Sequence, residues 1–335
     1  MRVLYHSKAD LDLSLYGIQI PLKGNRSQKI FSYLKDHYPV NELENLPKKI
    51  TIKDLKRVHR DHYIDELFSD QYQKHFYHCY ELIDREGRFN RYDPSAARFS
   101  FEHAREIIKD QIDLTYLGLE EAIKYKSSMT LHGGMHHAMS DRPRGFCLLH
   151  DGLVALTKMI DEKKIHNAWI VDVDAHKGDG APEILSNSLY KNHIKTMSIH
   201  MADAWPLNES ATDQFGNLKP WFIPSDLDIE HFKGEEKTYL TKLRDGLLEM
   251  EKRFGTPDVV WIVLGADPYE HDELPSTQSL KLNRDEMLKR DEILFSFFND
   301  RKIPQAYVMG GGYGDESWKM YAQFLEMIGH TEELH

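Results

Sequence analysis

The chain is short of the residues that staple or anchor proteins. Its 335 residues include two cysteines, Cys79 and Cys147. That is too few for a disulfide framework or a cysteine-rich zinc module, and both read as reduced thiols. No apolar run approaches the ~20 residues of a membrane-spanning helix, and residues 1–6 lack the apolar segment of a signal peptide. Positive charge is also scarce. Lys and Arg number 43 against 54 Asp and Glu, a net charge of −11, which argues against binding nucleic acid by bulk electrostatics. No repeat, low-complexity tract or Pro/Gly/Ser linker divides the sequence. These absences predict a cytoplasmic protein with no nucleic-acid or membrane partner, and leave the oligomeric state open. They favour a single domain over residues 1–335, although the length allows two units of ~150.

What is present reads as α/β. Short apolar stretches rich in Val, Ile and aromatics lie at 2–5, 168–173, 195–199, 259–264 and 305–309, with a weaker one at 128–131. Helical periodicity marks 152–163, 239–253 and 284–299. Apolar strands alternating with helices predict a doubly wound, mainly parallel sheet with helices on both faces. Residues 35–98 are polar, rich in His and Tyr, and read as helices with long loops.

Polar groups gather where these strands end. Asp172-Val173-Asp174-Ala175-His176-Lys177-Gly178-Asp179-Gly180 directly follows the apolar run 168–171. Alternation starts Asp172, Asp174 and His176 on one face. Buried charges need partners or a metal. His136-His137 follow the weak strand, His200 the strand at 195–199, Asp267 the strand at 259–264, and Tyr313 the last strand across three glycines. In open α/β sheets, ligands bind beyond the carboxyl ends of the strands.

Asp174, His176 and Asp267 offer two carboxylates and an imidazole, the three protein ligands of a catalytic zinc with one open position. Gly265 allows a sharp turn before Asp267. Of the tandem histidines, one can serve as general base, with Asp172 and Asp179 available to fix its tautomer. The Tyr313 phenol suits an oxyanion.

Together these residues resemble the zinc-dependent histone deacetylases of the arginase–deacetylase superfamily. The resemblance is carried by 133–138, Gly145-Phe146-Cys147, 172–180, Ser198-Ile199-His200, Gly265-Ala266-Asp267 and 310–313. It covers the chain from the first strand to about residue 325, and looks closest to the bacterial-type and class IV-like members. It implies one zinc on Asp174, His176 and Asp267. It further implies His137 as general base with Asp179, His136 as its tandem partner with Asp172, and Tyr313 as the carbonyl-polarising tyrosine. Phe146, beside Gly145, and Trp205 match the walls of an acyl-lysine tunnel. A potassium ion is implied at Asp172, Asp174, His176, Ser198 and Ile199. Arg26 matches an internal arginine, and Asp93 has a spacing compatible with a rim aspartate. Lys177 departs from the family's usual histidine, and three glycines rather than four precede Tyr313.

The implied substrate is an acylated lysine in a peptide or protein. An acetylated polyamine is the first alternative, and there the residue at Leu274, flanked by Asp272 and Glu273, is the gate position to inspect. An arginase-like two-manganese site requires a carboxylate two residues after His176, where Gly178 stands. A non-catalytic binding protein of this fold requires a missing ligand, base or tyrosine, and none is missing.

Overall fold

The computed structural model describes residues 1–331, 333 and 334. One seven-stranded sheet runs through it: β1 (Arg2–Leu4), β2 (Ser127–Thr130), β3 (Ala168–Asp172), β4 (Ile194–Met201), β5 (Leu227–His231), β6 (Val259–Leu264) and β7 (Gln305–Met309). The spatial order is β1-β2-β7-β6-β3-β4-β5, and every neighbouring pair is parallel. Parallel strands need long crossovers, and these carry helices except between β4 and β5, where residues 202–226 form none. In chain order the helices are α1 (Arg26–His37), α2 (Ile52–Val58), α3 (Asp61–Leu67), α4 (Tyr72–Cys79), α5 (Phe101–Tyr125), α6 (Asp151–Asp161), α7 (Gly180–Ser186), α8 (Glu236–Phe254), α9 (Arg284–Asp300) and α10 (Ser317–Gly329).

Alternation in the continuous apolar strands feeds two cores. In β6, Val259, Trp261 and Val263 pack with residues of α2–α7, whereas Val260, Ile262 and Leu264 pack with α1 and α8–α10. A strand buried on both faces has no polar side, which is why these runs read as unbroken. β2 read weakly because it is Ser127-Ser128-Met129-Thr130, yet all four residues are buried. The Ser128 hydroxyl is satisfied by donating to Gly118 O at 2.7 Å. β5 escaped the sequence reading. It is an edge strand, partly exposed over most of its length, and Leu-Asp-Ile-Glu-His alternates rather than running apolar. The segment 35–98 is helical where α2–α4 lie, followed by a hairpin-like turn in which Ile83 bridges Phe89. Among the described residues, no helix is long and apolar enough to cross a membrane.

Candidate active site

Because all strands point the same way, their carboxyl ends share one edge, with β3 near its middle. Asp172 ends β3, pairing with Val263 of β6 and Ser198 of β4. Beyond it the chain turns out of the sheet, carrying Asp174 and His176 towards Asp267, which leaves β6 next door. His176 Nδ1 lies 3.2 Å from Asp174 Oδ1 and 2.9 Å from Asp267 Oδ2. One ligand atom from each of the three lies within 4.8 Å of the others. All three are buried. Backbone donors hold the carboxylates: Gly311 N–H donates to Asp174 Oδ2 at 2.6 Å, and Ala175 N–H to Asp267 Oδ1 at 2.9 Å. Glycine is required for this closeness, since a Cβ on Gly265 would stand 2.5 Å from Asp174 Oδ2.

The electrostatics of this cluster ask for a cation. Burial, reinforced by the neighbouring Asp174 charge, raises Asp267 to about 6. Burial disfavours a charged His176, but Asp174 and Asp267 outweigh it and push the imidazole up to about 10. A proton on His176 thus fills the role that a divalent ion would take. Two carboxylates and one imidazole nitrogen around one point fit zinc.

The tandem histidines reach the same cavity through a left-handed turn at Gly133 (φ 84°) and Gly134 (φ 79°). Their rings sit 3.9 Å apart. His136 Nδ1 lies 2.6 Å from Asp172 Oδ2, and His137 Nδ1 lies 2.8 Å from Asp179 Oδ1. Arg144 pairs with the other oxygen of Asp179. The two rings have opposite charge preferences. Burial opposes charge on His136, yet Asp172 and Asp174 raise it to about 9. Burial and the adjacent His136 lower His137 to about 3 despite Asp179. The Asp172 carboxylate also explains Gly178, because a Cβ there would clash with Asp172 Oδ2.

Tyr313, Phe146, Trp205 and Leu274 line the cavity with His137 and His176; its volume is about 330 Å³. The Phe146 and Tyr313 rings are 6.4 Å apart, and Trp205 stands 4.6 Å from His137. Gly145 lets Trp205 approach, since a Cβ would strike its ring. Burial and nearby carboxylates raise the Tyr313 phenol well above its usual range, so it stays a donor. Arg26 also lines the cavity and donates to Gly312 O at 3.1 Å. Ser198 and Ile199 are buried in β4 beside β3, and the Ser198 hydroxyl lies 3.0 Å from His200 Nδ1. Lys177 is buried too, with its ammonium on Asp228 and, at 3.0 Å, on Ser225.

Several groups were missed or misplaced by the sequence reading. The Asp93 carboxylate caps its own turn, accepting from Ser95 N–H at 2.9 Å, and does not line the cavity. Glu81 does, ion-paired with Arg91 at 3.0 Å, and both residues have φ of 54°. Asp151 accepts from Gly134 N–H at 3.0 Å and Met135 N–H at 2.8 Å, holding the turn before the histidines. Asp272 accepts from Tyr313 N–H at 2.7 Å and Leu274 N–H at 2.9 Å. Isolated carboxylates in loops and helix starts carry no periodic signal; only their placement reveals them. Leu274 lines the cavity, while Glu273 accepts from Asp315 N–H at 3.2 Å.

A parallel sheet with a buried Asp–His–Asp cluster and a histidine pair at its carboxyl edge defines an α/β metallohydrolase. The family model described as histone deacetylase domain matches residues 20–326, and the chain belongs to that family of zinc-dependent deacetylases. Histone deacetylase 2 of Arabidopsis thaliana is 24% identical over 332 residues, covering 97% of this chain and 78% of that protein. Acetoin utilization protein AcuC of Staphylococcus aureus (strain MSSA476) is 25% identical over 291 residues, covering 84% and 70%. Among solved structures, acetylpolyamine aminohydrolase from Burkholderia pseudomallei superposes with a TM-score of 0.69 at 19% identity, over 99% of each chain. The HDA15 HD domain gives 0.71 at 18% identity, over 99% of this chain and 91% of that one. These structures share its fold.

Proposed function

We propose that residues 1–335 form one catalytic unit, a zinc-dependent amidohydrolase that removes acyl groups from N-acyl-lysine side chains of peptides or proteins. The observation that carries this is the buried Asp174–His176–Asp267 cluster at the inner part of a cavity walled by Phe146 and Trp205. Asp174, His176 and Asp267 would hold one zinc, which when bound supplies Lewis acidity towards the acyl carbonyl and the attacking water. A potassium ion is assigned to the segment of Asp172, Asp174, His176, Ser198 and Ile199.

The remaining steps belong to the chain's own side chains. Phe146 and Trp205 clasp the lysine methylenes. Asp179 engages His137 Nδ1, leaving Nε2 for the cavity. A neutral His137 takes a proton from water as its oxygen bonds to the acyl carbon. As the C–N bond breaks, that proton goes to the departing lysine amine. The charged His136, braced by Asp172, balances the developing negative charge. Tyr313 donates its O–H to the carbonyl oxygen, and Asp272 steadies the backbone that presents it.

Three features favour acyl-lysine over acetylated polyamines. The gate residue facing the cavity is Leu274, and Glu273 is occupied by the Asp315 N–H. The carboxylate at the mouth, Glu81, is already neutralised by Arg91. Lys23 also lines the cavity and pairs with Asp315 at 3.4 Å, so that carboxylate too is already neutralised. A second ammonium on a polyamine would meet this balance unfavourably. The deciding experiment measures zinc per chain and compares kcat/KM for acetyl-, longer acyl- and lactyl-lysine peptides with N-acetylputrescine and acetylspermidine. About one zinc and a preference for peptides are expected. A preference for polyamines overturns the substrate assignment, and two manganese ions with urea release overturn the reaction.

A further inference from the structure

Arg290 is a buried cation with no part in the chemistry above. It lies on α9, 1% exposed, as does its neighbour Asp291. Taking a guanidinium out of water costs several kcal/mol unless its donors are satisfied. Here Nε donates to Asp291 Oδ1 at 2.8 Å. Nη1 donates to Gly265 O at 2.7 Å and to Val173 O at 3.2 Å. Those two carbonyls belong to the residue just before Asp174 and the residue two before Asp267. Both lie one residue past the ends of β3 and β6, where a single bond from Val173 N–H to Val263 O at 3.1 Å still ties the first segment to β6.

We propose that Arg290 is a positioning residue for the metal site: by gripping the Val173 and Gly265 carbonyls together, it sets how far apart the Asp174 and Asp267 carboxylates stand. This rests on the reading of those residues as metal ligands. The two segments are in contact, since a Cβ on Gly265 would lie 2.6 Å from the Asp174 Cα. A shift in one must therefore displace the other. A guanidinium suits the task because its donors form a rigid planar fork. One group fixes three acceptors at set angles, with Asp291 neutralising its charge. An ammonium at the same place is a single point, unable to hold Asp291 and both carbonyls in that geometry. Helix α9 contributes no ligand, yet through this one side chain it shapes the ligand set.

The bland account is that Arg290 and Asp291 merely fasten α9 to the sheet, so the test must read the metal rather than stability or turnover. Two variants serve: Arg290→Lys, which keeps the charge, and Arg290→Met with Asp291→Asn, which removes both charges while filling the space. Zinc affinity is measured by chelator competition well below the melting temperature, with folding checked by circular dichroism. The absorption spectrum of the cobalt(II)-substituted protein reports ligand geometry. Outer-shell supports of metal ligands are worth roughly 10–100-fold in affinity. The expected result is a loss of that size in each folded variant, with an altered cobalt spectrum. Wild-type affinity and an unchanged spectrum, with only a lowered melting temperature, overturn the proposal. A wild-type protein that binds neither zinc nor cobalt overturns the metal reading beneath it instead.

Discussion

The inner end of the cavity and its mouth are built on opposite terms. At the inner end, Asp174, His176, Asp267 and both tandem histidines are buried, and each engages a polar partner on a strand end or the loop beyond it. At the mouth, Glu81 and Arg91 are half exposed, held by one ion pair, and both adopt left-handed backbone conformations uncommon outside glycine. Strain of this kind costs of order 1–3 kcal/mol per residue and persists where surroundings over-determine it. Under the proposed function the two regions divide the work: the buried groups, each held by a polar partner, carry the chemistry, and the exposed pair at the mouth bears on selectivity.

That division can be broken at its strongest point first. Asp174→Ala or Asp267→Ala should lose zinc and turnover together, as metal analysis beside a peptide assay would reveal; a variant retaining stoichiometric zinc contradicts the ligand assignment. His137→Ala should keep zinc and lower kcat by about 10²–10⁴. Tyr313→Phe removes one hydroxyl and should cost about 10²–10³ in kcat, with metal content and melting temperature unchanged. Near wild-type turnover in either removes the role given to that residue.

The mouth should behave otherwise. Arg91→Ala frees the Glu81 carboxylate, and is expected to change KM for peptides several-fold while leaving kcat and zinc alone. It should also improve acetylputrescine relative to peptides. A fall in kcat instead would mean that the mouth and the catalytic residues are mechanically coupled.

A smaller effect concerns the supports of the catalytic histidines. His59 lies 2.8 Å from Met139 O through Nδ1 and accepts the His150 N–H at 3.0 Å through Nε2. Burial lowers it to about 4 from an ordinary 6.5. The unfolded chain therefore takes up this proton at higher pH than the folded one. The stabilising contribution is complete above 6.5 and is lost as pH falls towards 4, an effect on the order of 3 kcal/mol. Urea titrations from pH 7.5 to 4 on wild type and His59→Gln should show the wild-type advantage shrinking across that window. A gap that stays constant would mean His59 is not held neutral.

Much of the inner site was legible because it lies in runs with a chemical contrast, apolar strand followed at once by Asp, His or Gly. The mouth was not. Glu81 sits in a polar segment where neighbouring Asp84, Glu86 and Asp93 look equivalent, and only its place on the cavity lining singles it out. Asp151 and Arg290, and the part Asp272 plays, were missed for a related reason. Each acts on backbone groups distant in sequence, and backbone hydrogen bonds leave no residue pattern. β5 was lost because half-exposed edges read like loops.

Gly178 bears on how this site could change its chemistry. The space a side chain would need there is occupied by the Asp172 carboxylate that braces His136. An added ligand at position 178, the step towards a two-metal centre, must first evict that brace. Under the one-ion reading proposed above, a side chain at position 178 would therefore disturb the Asp172–His136 contact before a second ion could be held.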